Sequence, residues 1–200
     1  DVHPILYYWM LRIVYLLTGG SIMAYKIFSV IPIAIMIILG YTHIRKDFGE
    51  KTGFIFSFLC AFLPEMAQYA IEVRMYSWAI LTVTVLAIYA YRLTKEDNTK
   101  DWIIFGISSL MSIYLHYYGL MAAGLINVFL LIYLIVKKRK KGIIFIVSMG
   151  IVQAVAYLPW LVNFARQLGN VSSGYWIGFS FPQTPMELLS SQLAGYVRTS

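Results

Sequence analysis

Long apolar segments follow one another along almost the whole chain, and they constrain its fold more than any other feature. Several approach or exceed ~20 residues, the length of helix that crosses ~30 Å of hydrocarbon. They are continuous and do not alternate, which favours membrane-spanning helices over strands. Only 12% of the 200 residues are charged, against about a quarter in a soluble domain. The sequence therefore predicts an all-α, polytopic transmembrane protein. The segments cover residues 4–18, 22–44, 53–71, 73–91, 102–136 and 142–160.

Segment 102–136 is too long for a single crossing. The polar sequence His116-Tyr117-Tyr118-Gly119 interrupts it near its middle, so we expect two helices that meet at His116. With this division the chain has about six membrane-spanning helices and one short helix near the N-terminus.

Three short connections carry most of the 16 Lys and Arg residues. The positive-inside rule predicts that all three lie in the cytoplasm, so two crossings must separate each connection from the next. The division at His116 satisfies this condition. The connections are 45–51, 92–100 and 137–141.

Segment 4–18 is short for a crossing, at ~22 Å of helix, and carries Arg12 near its middle. Because segment 22–44 ends at the cytoplasmic Arg45, it must start outside. We therefore expect 4–18 to be an interfacial helix on the outer membrane surface. The alternative is a true crossing, which would put Arg45 outside, against the charge rule.

The sequence Glu72-Val73-Arg74-Met75-Tyr76 lies at the junction between two apolar segments. Ionisable residues within membrane segments cost free energy, so their presence here predicts a functional site. The alternative is a structural ion pair between Glu72 and Arg74. On a continuous helix Tyr69, Glu72 and Tyr76 would share one face and Arg74 would point elsewhere, but the topology requires a turn near residues 70–74.

Almost all the unusual polar residues fall on the side opposite the basic connections. After Trp160 we expect the chain to stay outside, with a loop over 169–186 and an amphipathic stretch over 186–197 on the interface. This predicts a transmembrane module over 1–160 and an extracytoplasmic loop with an interfacial helix over 161–200. Because the chain starts at Asp1 without a methionine, it is interpreted as a fragment.

Four sequence elements together resemble one family. Asp1-Val2-His3-Pro4-Ile5-Leu6-Tyr7-Tyr8 resembles the Asp-x-His-Pro-Pro-Leu-Tyr-Tyr element of glycosyltransferase family 39, membrane enzymes of the GT-C fold that include the dolichyl-phosphate-mannose protein mannosyltransferases and their bacterial relatives. Residues 64–76 (PEMAQYAIEVRMY) are similar to the family's Pro-x4-Tyr-x2-Glu-x-Arg-x-Tyr element, and 114–119 and 157–160 resemble its later helices. Ile5 departs from the pattern, since the family usually has a second proline there.

The resemblance implies transfer of a sugar from a polyprenyl-phosphate donor to a protein, lipid or glycan acceptor, on the extracytoplasmic face and by an inverting single displacement. It also implies that the principal catalytic Asp precedes Asp1, in a first outer loop that follows a further helix. We therefore expect an integral protein of a bacterial plasma membrane with its active site facing outside. The net charge of +7 comes from the membrane-orienting loops, and no nucleic-acid partner is expected.

The residue roles follow from that reaction. Asp1 and Glu72 are the catalytic candidates, because a carboxylate must accept or orient the acceptor proton. Arg74 suits the donor phosphate, since a guanidinium donates two parallel hydrogen bonds. The remaining substrate-binding candidates are His3, Tyr76 and His116.

No cofactor is certain. Asp1, His3 and His116 could together hold a divalent metal ion, but their spacing is not diagnostic. The alternative function is a non-enzymatic lipid-linked saccharide transporter or flippase. Such a protein is expected to carry polar residues in broken helices at mid-membrane depth, whereas these residues gather near helix ends.

Overall fold

In a computed structural model of the chain, residues 4–172 and Met186 are described, with side chains described only to residue 162 and at Met186. Within these residues every regular element is a helix, which confirms the all-α prediction. The helices are α1 (Leu6–Thr18), α2 (Ile22–Leu39), a π-helical turn (Gly40–Ile44), α3 (Arg45–Phe48), α4 (Glu50–Phe62), α5 (Pro64–Ile71), α6 (Tyr76–Lys95), α7 (Thr99–Leu115), α8 (Tyr117–Val136) and α9 (Lys140–Ser172).

Four helical stretches of the described chain are long and apolar enough to cross a membrane: Ile22–Phe48, Tyr76–Lys95, Tyr117–Val136 and Lys140–Val162. A fifth is obtained if α4 and α5 form one bent span. Helix α7 has 17 residues and begins with Lys100 and Asp101 in its first turn. The chain is thus a helical protein with membrane-span-like helices, and the count of about six crossings stays a prediction.

Helices α4 and α5 meet at a bend of 56°. Leu63 has an extended backbone (φ −66°, ψ 129°) and Pro64 starts α5. A residue before proline is pushed away from helical geometry, while proline itself suits a first helical turn. Segment 53–71, expected as one helix, is therefore two helices.

The three basic connections gather at one end of the bundle, here called the basic end. Arg92 Nε lies 2.7 Å from Asp47 Oδ2 and Arg139 Nη2 lies 2.8 Å from Asp97 Oδ1. Arg139 Nη1 also donates to Leu93 O at 2.7 Å. These contacts tie the three connections together, as two crossings between each pair of them require.

Helices α6 to α9 surround the largest buried cluster, which includes Leu86, Leu93, Trp102, Phe105 and Leu134. Many other apolar side chains remain exposed on the outer faces of the helices, as expected where hydrocarbon is the solvent. The bundle therefore positions its polar helix breaks at its two ends.

Helix α9 continues through Pro159 to Ser172, whereas the sequence suggested that the last span ends at Trp160 and that a loop starts at 169. A proline is tolerated inside a membrane helix because neighbouring groups can satisfy the freed backbone carbonyl. The division at residue 161 stays a prediction. The rest of the expected outer loop and the amphipathic stretch lie outside the described residues, apart from Met186.

Candidate functional site

Residues 72–75 form the link between α5 and α6. Glu72 ends α5 with an extended backbone (φ −73°, ψ 128°), and Arg74 N donates to Glu72 O at 2.8 Å. Helix α6 then begins at Tyr76. The turn expected near 70–74 is confirmed, and Glu72 and Tyr76 therefore do not lie on one continuous helix.

Glu72 and Arg74 make no ion pair within residues 4–162. Glu72 is half-buried, and its Oε1 accepts a hydrogen bond from Gln68 Nε2 at 3.1 Å. Arg74 is exposed. The structural ion pair between Glu72 and Arg74, considered as an alternative, is therefore absent from this part of the chain.

Arg74 lies close enough to Tyr8 to act on its charge. Partial burial raises the pKa of the Tyr8 phenol, and the positive charge of Arg74 opposes that rise. Beside it, Tyr7 is buried in one cluster with Met75 and Leu115. The start of α1, the 72–75 link and the end of α7 therefore meet at the end of the bundle opposite the basic end.

His116 forms the break between α7 and α8, as predicted. Its backbone is extended (φ −157°, ψ 148°) and its ring is buried, with 8% exposed. Nδ1 accepts from Tyr118 N at 3.1 Å, so a neutral ring carries its proton on Nε2. His116 is therefore the cap of α8.

Close packing of α7 against α8 beside His116 requires a glycine at position 119. A Cβ at this position would lie 2.4 Å from Ser112 O, a distance that no side chain can adopt. The absence of a side chain allows α8 to pass close to α7 immediately after His116.

Aromatic rings form a row across the helix breaks. Ring centroids lie 5.4 Å apart between Tyr69 and Tyr76, 5.5 Å between Tyr76 and His116, and 5.2 Å between His116 and Tyr118. The row borders a cavity of about 310 Å³. The remaining walls of this cavity are mostly apolar: Ala79, Ile80, Val83, Thr84 and Gly119.

The fourth sequence element also reaches this end of the bundle. Trp160 Nε1 donates to Tyr117 OH at 3.4 Å, and Tyr114 OH donates to Ala156 O. The ring centroids of Tyr114 and Tyr157 are 5.5 Å apart. Residues 157–160 of α9 thus pack against the break at His116.

The burial of Glu65 was not predicted from the sequence. Glu65 lies in the first turn of α5, and only 6% of it is exposed. Sequence reasoning also missed Gln68, although a residue four positions before Glu72 on a helix is a natural partner. Pro64 predicts the helix start, at which a first-turn carboxylate is stabilised by the helix dipole, but it does not predict that Glu65 is buried.

Asp1 and His3 lie outside the described residues, so their roles stay predictions. No group of three or more His, Cys, Asp or Glu side chains that could hold a metal occurs in the described part of the chain. The possible metal site of Asp1, His3 and His116 needs two of the residues outside it and is not tested by this result.

A family model described as dolichyl-phosphate-mannose-protein mannosyltransferase matches residues 2–162. The match spans the helix breaks at 72–75 and His116 and the α9 residues 157–160. No curated protein matches the chain. No solved structure matches it either.

Proposed function

The chain belongs to the dolichyl-phosphate-mannose-protein mannosyltransferase family, and on that premise we propose that it transfers a sugar from a polyprenyl-phosphate donor to an acceptor hydroxyl at the extracytoplasmic face of a bacterial plasma membrane. Membership implies a membrane glycosyltransferase in general. The donor, the membrane face and the residue roles below are our proposal.

The observation that carries it is the meeting of three helix breaks at one end of the bundle. The start of α1, the 72–75 link and His116 bring a carboxylate, a guanidinium and an imidazole to one end of the bundle, where Tyr69, Tyr76 and His116 line a mostly apolar cavity. A site for a lipid-linked phosphosugar must provide polar groups for the phosphate and sugar and an apolar channel for the lipid. The family gives no support to the transporter alternative.

Arg74 is assigned to the donor phosphate. It is exposed and makes no ion pair within residues 4–162, so its fork is open to a phosphate oxygen pair. Developing negative charge on the leaving phosphate is stabilised most by such a fixed cation. The imidazole of His116 lines the cavity at the same end of the bundle.

The cavity is assigned to the first isoprene units of the donor. Its wall runs down α6 from Tyr76 to Thr84, about 12 Å along a helix. Ile80 and Val83 line this part of the cavity. An unsaturated hydrocarbon chain could therefore bind there without burying an unpaired polar group against it.

Glu72 is assigned to the acceptor or to hydroxyls of the transferred sugar. In an inverting displacement the acceptor oxygen attacks the anomeric carbon, and the bond between that carbon and the phosphate oxygen breaks. A carboxylate takes the acceptor proton. The resemblance implies an upstream Asp for that proton, with Asp1 as a second acidic residue. Gln68 holds Glu72 Oε1, which leaves Oε2 for a hydroxyl.

The reaction is tested with the full-length protein in proteoliposomes and a radiolabelled sugar. We expect transfer from a polyprenyl-phosphate sugar and none from the corresponding nucleotide sugar. Transfer from the nucleotide sugar alone would contradict the proposed donor class.

The membrane face is tested by cysteine labelling in intact cells, on a Cys60→Ala background. A membrane-impermeant maleimide is expected to label Val73→Cys from outside and to spare Lys138→Cys. The reverse pattern would contradict the proposed orientation.

A further inference from the structure

A second cavity, of about 550 Å³, lies at the basic end, across the bundle from the candidate site. The candidate spans Ile22–Phe48 and Tyr76–Lys95 both end beside it, and α7 begins there. Its size falls in the ~300–1,000 Å³ range of small-ligand sites. The lining side chains are largely polar: His43, Lys46, Asp47, Tyr89, Tyr91, Arg92, Lys95, Glu96, Asn98, Lys100 and Asp101.

Both signs of charge line this cavity. Lys46, Arg92, Lys95 and Lys100 supply positive groups, and Asp47, Glu96 and Asp101 supply carboxylates. Arg92 pairs with Asp47 through Nε at 2.7 Å, and within residues 4–162 none of the other five makes an ion pair. The cavity thus keeps cations and carboxylates available for one ligand that carries both charges.

The residues around the cavity are those expected at the level of the lipid headgroups. Tyr91 lines it, and its ring centroid lies 4.4 Å from that of Phe48. Lys95 Nζ lies 5.0 Å from the Tyr91 centroid. Aromatic rings and lysines concentrate at the membrane interface, where the phosphates of phospholipids also lie.

The wall formed by the π-helical turn is itself unusual. His43 lies in this turn, with Nδ1 3.0 Å from Thr42 Oγ1 and Nε2 3.4 Å from Tyr89 OH. π-Helical turns are rare and occur frequently at functional sites. Here the turn fixes the ring of His43 between two hydroxyls at the cavity wall.

We propose that this cavity binds the headgroup of a zwitterionic, primary-amine phospholipid of the phosphatidylethanolamine type. The phosphate is held by Lys95, Lys100 and the free Nη groups of Arg92, which donate charge-assisted hydrogen bonds. The ammonium donates to the carboxylates of Glu96 and Asp101. A purely anionic headgroup would meet those carboxylates, and a quaternary choline has no N–H to donate to them.

The test is native mass spectrometry of the full-length protein, delipidated and then offered equal amounts of phosphatidylethanolamine, phosphatidylcholine and phosphatidylglycerol with identical acyl chains. We expect phosphatidylethanolamine to be retained about tenfold more strongly than either competitor, as roughly one additional charged hydrogen bond implies. Equal retention of phosphatidylglycerol would overturn the proposal.

Two double variants test the binding of the phosphate and of the ammonium group separately. Lys95→Gln with Lys100→Gln is expected to weaken retention of all three lipids. Glu96→Gln with Asp101→Asn is expected to remove the preference for phosphatidylethanolamine over both competitors while leaving the retention that depends on the phosphate. Lys140→Gln with Lys141→Gln is the matched control, because these exposed lysines lie at the same end but do not line the cavity.

Unchanged lipid retention in both cavity variants, with melting temperatures like that of the parent, would contradict the proposal. So would an equal loss in the control, which would show only general attraction between lysines and lipid. Glycerophosphoethanolamine, the soluble headgroup, is added as a competitor. Displacement of the lipid at equal concentration would show a site for a soluble phosphate compound instead.

Discussion

The ring centroids of Tyr76 and His116 lie 5.5 Å apart, although Tyr76 begins α6 and His116 precedes α8. This contact joins the two helix breaks at the end opposite the basic connections. It makes Tyr76 the central ring of the row that borders the apolar cavity, with Tyr69 on its other side.

Replacing Tyr76 by Ala is expected to lower the kcat/KM for sugar transfer about tenfold or more, because loss of its ring contacts with Tyr69 and His116 shifts groups of the site, and a shift of ~1 Å can cost ~10²-fold in rate. Tyr76→Phe keeps the ring contacts and should retain most of the activity. Tyr41→Ala, at an exposed tyrosine of the π-helical turn, is the control. Wild-type activity in Tyr76→Ala would remove this residue from the site.

Gly119→Ala is expected to reduce both stability and transfer, because the new Cβ would approach Ser112 O to 2.4 Å. Overpacking of this kind costs ~1–3 kcal/mol. Gly124→Ala, on the same helix and with open space around its Cβ, should leave transfer unchanged and should not lower stability, since Ala favours a helix more than Gly. The measurements are thermal unfolding in detergent and initial transfer rates. Equal melting temperatures for the two variants would contradict the close approach of α7 and α8.

A polar network inside the bundle gives a third prediction. Asn127 Nδ2 donates to Ser109 Oγ at 2.9 Å, and Ser109 Oγ donates to Gln153 Oε1 at 3.0 Å, so α7, α8 and α9 are linked. Asn127→Leu should lower the free energy of unfolding by about 1–2 kcal/mol, the value of hydrogen bonds between membrane helices. The lipid-exposed Val128→Leu should leave it unchanged, and a stabilised Asn127→Leu variant would contradict the network's role.

Arg139 holds the turn between α8 and α9 to the end of α6. It pairs with Asp97 and donates to Leu93 O and Thr94 O. Arg139→Gln should lower the unfolding free energy by about 2 kcal/mol, since hydrogen bonds to charged groups contribute ~1.5–3 kcal/mol. Arg45→Gln, which breaks an exposed pair with Glu50 and the contact of the guanidinium with the exposed Tyr41 ring, should cost less than ~1 kcal/mol. Equal losses in the two variants would show that Arg139 acts only as a surface charge.

Much of the fold could be predicted from the sequence because lengths of apolar sequence and positions of lysine and arginine are local properties. They gave the helical class, the break at His116 and the gathering of the three basic connections. The bend at Leu63 was missed because segment 53–71 is apolar on both sides of it. Helix α9 extends beyond the apolar segment 142–160 to Ser172, because hydropathy marks the apolar length of a helix and not the residue at which it ends.

The candidate site was predicted less completely, for a different reason. Glu72, Arg74 and Tyr76 stand out as polar or aromatic residues at a junction, so residue type alone finds them. The neighbours of each residue depend on which helices pack together. The contact of Tyr76 with His116 and the burial of Glu65 follow from that packing and carry no local signal of their own.

The most direct test of the account is sugar transfer by Glu72→Gln and Arg74→Ala in the full-length protein, with a polyprenyl-phosphate sugar as donor. Glu50→Gln and Arg45→Ala are matched controls, because they make the same side-chain changes in an exposed pair at the basic end. We predict that both site variants insert into the membrane normally and lose transfer, while both controls keep it. Wild-type transfer by Glu72→Gln and Arg74→Ala would contradict the central claim that the 72–75 link forms part of the active site.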